Sequence, residues 1–507
     1  MKNLFNSIKL NKPKSNSFDL SHDVKMSCQM ANLNPILTLE CVPGDRFNLS
    51  CESLIRFAPL VAPVMHRMDV TMHYFFVPNR ILWDNWEKFI TDANSGIVAP
   101  YGSYTNGFNT IPSFADLTKL MDYMGVPPQT ATGTTVNISA LPFAAYQCIY
   151  NEFYRDQNLI PPVDYKLNDG ENFPNLARCQ ELLTLRKRAW EHDYFTAALP
   201  FAQKGTAVDL PLGSVSGTEV KLGIGPGGTT ATAAMNVTGV GAVNVSVNRS
   251  TNAGNLLVEG QSVDPTTIND LRRAFRLQEW LEKNARGGTR YIESILSHFG
   301  VRSSDARLQR PEYITGVKSP VIISEVLNTT GEAAGLPQGN MAGHGISVSS
   351  GKAGSYFCEE HGYIIGIMSI MPKTAYQQGI PRTFSKSDTL DYYFPSFANI
   401  GEQEVLNQEI MAFTADPSGT FGYVPRYAEY KYMPSRVAGS FRNTLDYWHL
   451  GRIFATPPAL NQAFIECKSE DTTRIFAVED GTDPLYCHVY NKIQAVRPMP
   501  KFGTPSF

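Results

Sequence analysis

Apolar and polar positions alternate with a period of two in three runs, Val70 to Phe76, Tyr363 to Met371 and Leu485 to Tyr490. Successive side chains of an extended chain point to opposite faces, so these runs predict strands. Elsewhere the period is close to that of a helix turn. Phe114 to Met124, opened by Ser113 as an N-cap, Phe143 to Asp156, and Ile268 to Asn284, closed by Gly287 and Gly288, predict helices. A further helix is expected over Arg290 to Phe299, where Ile292, Ile295, Leu296 and Phe299 share a face and Gly300 lies just past the end. The 33 prolines and 39 glycines punctuate the remainder, which implies long irregular connections hung on a strand scaffold.

Two segments break this pattern. Residues 202 to 274 hold no Phe, Trp or Tyr in a chain that is 11% aromatic. They are Gly, Thr, Ala, Val, Asn and Ser with short alternating pieces such as Val240 to Val247, and can build little core of their own. The segment reads either as a disordered low-complexity loop or as a β-rich excursion, since small β-branched residues suit strands that pack on neighbours. Residues 1–17 form a polar arm carrying Lys2, Lys9, Lys12 and Lys14 with few apolar anchors, a composition that stays unfolded until a partner orders it.

Composition narrows the class. A chain of 507 residues buries a large core, in several ordinary domains or in one with long insertions. Charged residues are 18%, below the roughly 25% usual for soluble domains, which fits a surface partly covered by neighbours or a large glycine-rich monomer. The net charge of -3 excludes a general polycation that coats nucleic acid, so any genome contact is local. No run approaches the roughly 18 to 20 apolar residues a membrane-spanning helix requires, and the N-terminal lysines precede no apolar signal core. Eight cysteines, at 28, 41, 51, 148, 179, 358, 467 and 487, form no CxxC pair and read as reduced structural thiols of a protein made in a reducing cytosol.

Chemical motifs are weak throughout. Leu222 to Gly228 is glycine-rich like a phosphate loop, but Pro226 interrupts it and no Lys-Ser/Thr follows. Glu191, His192 and Asp193 offer acid, base and acid in a row, yet neighbours in an extended chain face opposite ways and cannot serve one reacting atom. Cys358 to His361 and Cys487-His488 lack the second pair that a tetrahedral metal site needs. No catalytic residue, cofactor or metal is therefore expected. Arg186-Lys187-Arg188 reads as a helix-surface run, the alternative being a DNA contact. The arm lysines, with Arg497 and Lys501 beside Pro-rich and aromatic sequence, are candidates to touch single-stranded DNA by charge and stacking, the alternative being a solubilising tail. Trp83 and Trp86, three apart after a strand-like run, would share one helical face and anchor buried surface within or between subunits.

The stretch from Gly287 to Gly316 resembles a block of the major capsid proteins of small single-stranded DNA bacteriophages, the Microviridae and in particular their gokushovirus-like branch. Pro43 to Phe47, Tyr74 to Arg80 with Trp83 to Trp86, and Arg188 to Gly205 with its His192 to Thr196 core are similar to further blocks. So are Asp391 to Pro395, Asn399 to Gln403, Phe421 to Tyr423 and Arg497 to Pro500, all in family order. The resemblance spans about residues 18 to 507 with a gap near 205 to 265.

It implies a mainly β fold, an eight-stranded antiparallel jelly roll with long loop and helical insertions. Behind the arm of residues 1–17, a capsid domain of 18–204 and 266–507 would carry a variable surface insertion at 205–265, clustered at threefold axes. It also implies pentamers that assemble into an icosahedral shell around a circular single-stranded DNA genome. The implied partners are small basic DNA-binding and internal scaffolding viral proteins and a bacterial surface receptor. The shell would assemble in the host cytoplasm, with no membrane involved. Competing readings are a β-sandwich hydrolase acting on glycans, which needs two carboxylates across a cleft, and a receptor-binding spike. The aromatic and Arg-rich stretches Tyr423 to Tyr432 and Arg442 to Arg452 suit subunit interfaces.

Overall fold

The structure, a computed structural model, describes residues 14–92, 95–104, 115–127, 135–206, 208, 215–216, 262–263, 267–329, 339–351, 353–478 and 482–502. The chain enters through β1 (Asn16–Asp19), β2 (His22–Cys28), β3 (Asn34–Cys41), β4 (Arg46–Phe57) and β5 (Met68–Pro78). Helices α1 (Asn79–Leu82) and α2 (Trp86–Thr91) follow, then β6 (Tyr101–Tyr104), α3 (Ala115–Tyr123) and β7 (Val136–Ser139). Next come α4 (Leu141–Ile149), α5 (Leu176–Leu183), the two-residue strands β8 (Val215–Ser216) and β9 (Ser262–Val263), α6 (Ile268–Gly287) and α7 (Tyr291–Phe299). The second half supplies β10 (Glu312–Pro320), β11 (Ile322–Leu327), β12 (Met341–Ser350), β13 (Gly354–Phe357) and β14 (Gly362–Pro372). It closes with β15 (Glu402–Leu406), α8 (Asn407–Ile410), β16 (Thr420–Pro425), α9 (Gln462–Ile465) and β17 (Leu485–Arg497).

Two antiparallel sheets make the sandwich that the capsid resemblance implies. The larger runs β1-β17-β4-β12-β11, with β2 also on β17 and β13 also on β4. β1 and β2 pair with successive parts of β17, and β12 and β13 with successive parts of β4, so seven strands occupy five positions. The smaller sheet runs β10-β5-β14-β3.

Sequence pattern and layer agree strand by strand. In β4, Phe47, Leu49, Cys51, Ile55 and Phe57 are buried while Arg46, Asn48, Glu52 and Arg56 are exposed. β17 alternates in the same way, as a sheet with one solvated face requires. β14 is buried at every position and β5 at nearly every one. The reason is a third layer. Met72, Tyr74 and Phe76 of β5 pack with Phe47, Ile55 and Val489 between the sheets. Phe75 and Val77 point the other way, onto Leu82, Leu120, Phe143, Tyr146 and Leu182 of the helices. A strand covered on both faces has no reason to alternate in burial. Buried Asn491 bridges the sandwich: it accepts from Tyr74 Oη at 2.9 Å and donates to the Ile36 carbonyl at 2.8 Å.

The predicted helices appear as α3, α4, α6 and α7. α4 continues into a π turn over Tyr150–Tyr154, so the helix expected over Phe143 to Asp156 stands with its last turn widened. Gly300 caps α7 with φ of 69°, the left-handed conformation that glycine adopts without a Cβ clash. Ser113 lies outside the described residues. The run Arg186-Lys187-Arg188 is not on a helix, contrary to expectation. It is an extended segment bridged to Asn32 and, next to it, to Glu466.

Contacts divide the chain into two compact units, Met1–Ala202 with Gly287–Phe507, and Gln203–Arg286. The described parts of the second include the β8-β9 pair and nearly all of α6.

Candidate assembly surface

The groups that suggested chemistry are committed to the fold. Glu191 pairs with Lys318 at 2.9 Å and with Lys373, and both lysines also reach buried Asp69, at 3.1 and 3.2 Å. Burial works to raise the Glu191 carboxyl, but the two ammonium groups prevail and hold it at about 2. Asp193 accepts from the Phe195 and Thr196 amides and from Tyr376 Oη at 2.8 Å, which fixes a turn. Arg188 donates to Thr71 and Ser369 on the smaller sheet, and Arg186 to Gln147 Oε1 at 2.7 Å. All eight cysteines are free and buried. Burial pushes Cys148 up to about 12 and Cys179 up to about 11, so neither supplies a thiolate at neutral pH. Among the described residues no cluster of three His, Cys, Asp or Glu side chains could hold a metal ion, and no helix is long and apolar enough to cross a membrane.

Two partly buried histidines give the fold a pH dependence. His66 donates from Nε2 to the Lys373 carbonyl at 2.7 Å, and His73 Nδ1 shares a 2.8 Å hydrogen bond with Tyr154 Oη. Burial pulls both rings down to about 4. The unfolded chain therefore takes up these protons first. Their contribution to stability is complete above the ordinary histidine value of about 6.5 and is lost as pH falls from there toward 4. The urea midpoint of unassembled subunits is expected to drop between about pH 7 and about pH 5, and His73→Gln should flatten that drop. Equal slopes for the two proteins would count against this account.

Trp83 and Trp86 do not lie on one helix. Trp83 follows α1 and Trp86 opens α2, with a turn between them. They nonetheless meet edge to face at 6.3 Å, and both reach Phe89. Trp83 is only 1% exposed, packs in the layer beneath the smaller sheet and donates from Nε1 to Asp169 Oδ1 at 2.7 Å. Trp86 is half-buried and meets His361 at 5.6 Å. The cation candidates scatter. Lys2, Lys9 and Lys12 lie outside the described residues, while Lys14 and Lys501 are exposed. Arg497 turns onto buried Asp45 at 3.3 Å and the Glu40 carbonyl at 2.6 Å.

The stretch from Pro381 to Met433 has few regular elements, yet it is firmly framed. Lys386 and Glu429 form a 3.2 Å ion pair whose side chains are only 5% and 6% exposed, and the ammonium lies 4.0 Å from the Tyr430 ring centre. Gln403 donates to Glu429 at 2.7 Å and accepts from the Tyr427 amide at 2.9 Å. Arg382 reaches Glu409 at 3.2 Å, and Tyr194 Oη donates to the same carboxylate at 2.8 Å. Beneath lies a separate apolar cluster that includes Phe195, Val405, Phe421 and Phe464. In the same stretch Phe384 is 77% and Met433 96% exposed, and Leu390, Tyr393, Phe394 and Tyr432 are exposed too. Large aromatic groups held in fixed positions at the surface are the chemistry of a protein-protein contact. The aromatic residues of 423–432 pointed here, whereas the Lys386–Glu429 pair is far apart in sequence and had no signal of its own. Arg452, in the second stretch named for interfaces, instead turns inward and lies 4.0 Å over the Phe464 ring.

Comparison with known proteins places the chain among capsid proteins along almost its whole length. Residues 6–507 match the family described as "Capsid protein (F protein)". The chain is 36% identical to "Capsid protein VP1" of Bdellovibrio phage phiMH2K, over 96% of this chain and 95% of the relative. It is 35% identical to "Capsid protein VP1" of Chlamydia phage 1, over 100% and 98%. The same protein of Spiroplasma virus 4 is 30% identical, over 96% and 94%.

Proposed function

The chain belongs to the phage capsid F protein family, and from that premise we propose how a virion shell is made from it. It is a structural capsid protein. Copies associate into pentamers and then into a small icosahedral shell around a circular single-stranded DNA genome, through many modest contacts that are strong together. The observation that carries this reading is the match to capsid proteins along residues 6–507. The framed aromatic surface of 381–433 supports it as a contact between copies. The work is mechanical, with no catalytic step and no cofactor. Residues 1–17 face the genome, together with Lys501, and small basic and scaffolding viral proteins share the assembly in the bacterial cytoplasm. Residues 205–265 project outward near threefold axes and take part in attachment to the host, as a loop carried by a rigid scaffold is free to do.

Electron microscopy of the purified protein, with light scattering, is expected to show closed particles of uniform diameter. Limited proteolysis of those particles should cut within 205–265 and spare the arm. Stable monomers under every assembly condition would sink the shell reading. Early cleavage of the arm on intact particles would sink its interior placement.

A further inference from the structure

The solvent face of the larger sheet carries a row that the fold itself does not use. The register places Ser27 of β2, Tyr486 of β17 and Arg56 of β4 side by side, and in the next row Lys25, His488 and Leu54. Val348 of β12 continues that second row. All alternate with neighbours that are buried or less exposed, and therefore point away from the core. Lys25 and Arg56 are exposed and have no ion-pair partner among the described residues. Tyr486 leaves 47% of its surface open. All of these except Val348 line a shallow depression of about 420 Å³ in which Lys25, Arg56 and His488 are the ionisable groups besides Tyr486 and Cys487, and no carboxylate takes part. Acids stand at its margin, where Asp23 meets His488 at 2.9 Å, Asp483 accepts from Ser27 Oγ at 3.2 Å and Glu52 lies opposite Tyr490.

We propose that this depression binds single-stranded nucleic acid, with Lys25 and Arg56 on phosphate oxygens and a base stacked on Tyr486 beside His488. The proposal rests on the reading of the protein as the shell of a single-stranded DNA genome and names the face of the subunit that meets it. Three features select this ligand. Two exposed cations without an ion-pair partner among the described residues, in a depression whose lining holds no carboxylate, attract an anion. An open tyrosine ring offers a face to any base, which suits binding without sequence preference. A flat sheet surface lets a flexible strand lie across it, whereas a paired duplex keeps its base faces hidden.

The test uses full-length subunits before assembly and a fluorescent oligothymidylate, with anisotropy read over a salt series. Lys25→Gln with Arg56→Gln is expected to weaken binding about tenfold and to lower the slope of log affinity on log salt by about 1.4, two phosphate contacts at about 0.7 each. Tyr486→Ala should weaken binding by about tenfold with the slope unchanged, because stacking releases no counterions. If the unsubstituted chain binds and both variants bind as it does, the genome lies elsewhere and this site is wrong, although the shell reading stands. If no form of the chain binds the oligonucleotide, the genome reading fails along with the site. If the double variant keeps its DNA affinity but no longer forms particles, the face is a contact between copies and the proposal is overturned.

Discussion

Replacing Trp83 by alanine is expected to destabilise the subunit by about 3 to 5 kcal/mol, the range for deleting a large buried aromatic side chain. The indole is enclosed by Phe89 and Trp86 and by the helical layer under the smaller sheet, so its loss leaves a cavity that rigid neighbours cannot fill. It also strands Asp169, which would keep only its bonds from Asn85 at 3.0 and 3.1 Å. Trp86→Ala should cost clearly less, because that ring is already partly in water. Urea unfolding of subunits measures the difference, and particle yield should follow the same order. Equal losses for the two variants would mean that burial does not rank them.

Glu429→Ala carries the second large effect. Lys386 would then remain beneath Tyr430 without its counter-charge, and breaking a buried pair from one side costs about 3 to 5 kcal/mol. The loss is local to the frame of residues 381–433, so the sandwich core should survive while the aromatic surface loses its shape. Near-ultraviolet circular dichroism should change and particle formation should fall sharply, with far-ultraviolet signal nearly unchanged. Lys386→Met with Glu429→Leu, which removes both charges together, should recover much of the lost stability. Failure of that double variant to improve on Glu429→Ala would show that the pair is not the clamp. Acid acts on the same pair. Burial alone would raise the Glu429 carboxyl, but Gln403 and Lys386 bring it below its usual value. The stability it adds is present above the ordinary glutamate range and goes as pH falls through the lowered value.

How much of this the sequence disclosed depended on how many layers cover each element. The Tyr363 to Met371 and Val70 to Phe76 runs are apolar enough to be recognised, and they are the centre of the smaller sheet. β4 alternates more cleanly than either but was not singled out, because Arg46, Asn48, Glu52 and Arg56 dilute its apolar content. Arg186-Lys187-Arg188 misled because three basic residues in a row usually mark a solvated face. Here Arg186 and Arg188 satisfy polar groups between layers, a role set by Gln147 and Ser369 far along the chain. Lys25 and Arg56 were likewise unremarkable in sequence. Only the register of β2 and β4 on β17 makes them neighbours. The capsid resemblance supplied what periodicity cannot, namely that the strands form two sheets facing each other.

Asn491 has a consequence in time as well as in space. Its two core hydrogen bonds reach partners 417 and 455 residues earlier in the chain, and the larger sheet is centred on the β17-β4 pairing. During synthesis β4 must wait for its neighbour until nearly all of the described chain has been made. Pairing at such sequence separation is slow, and until it happens the apolar face of β4 and its unpaired edge stand open to other chains. A nascent subunit is thus most prone to mispair just when many identical copies are being translated together. The last strand to be made acts as the latch that ends this exposure.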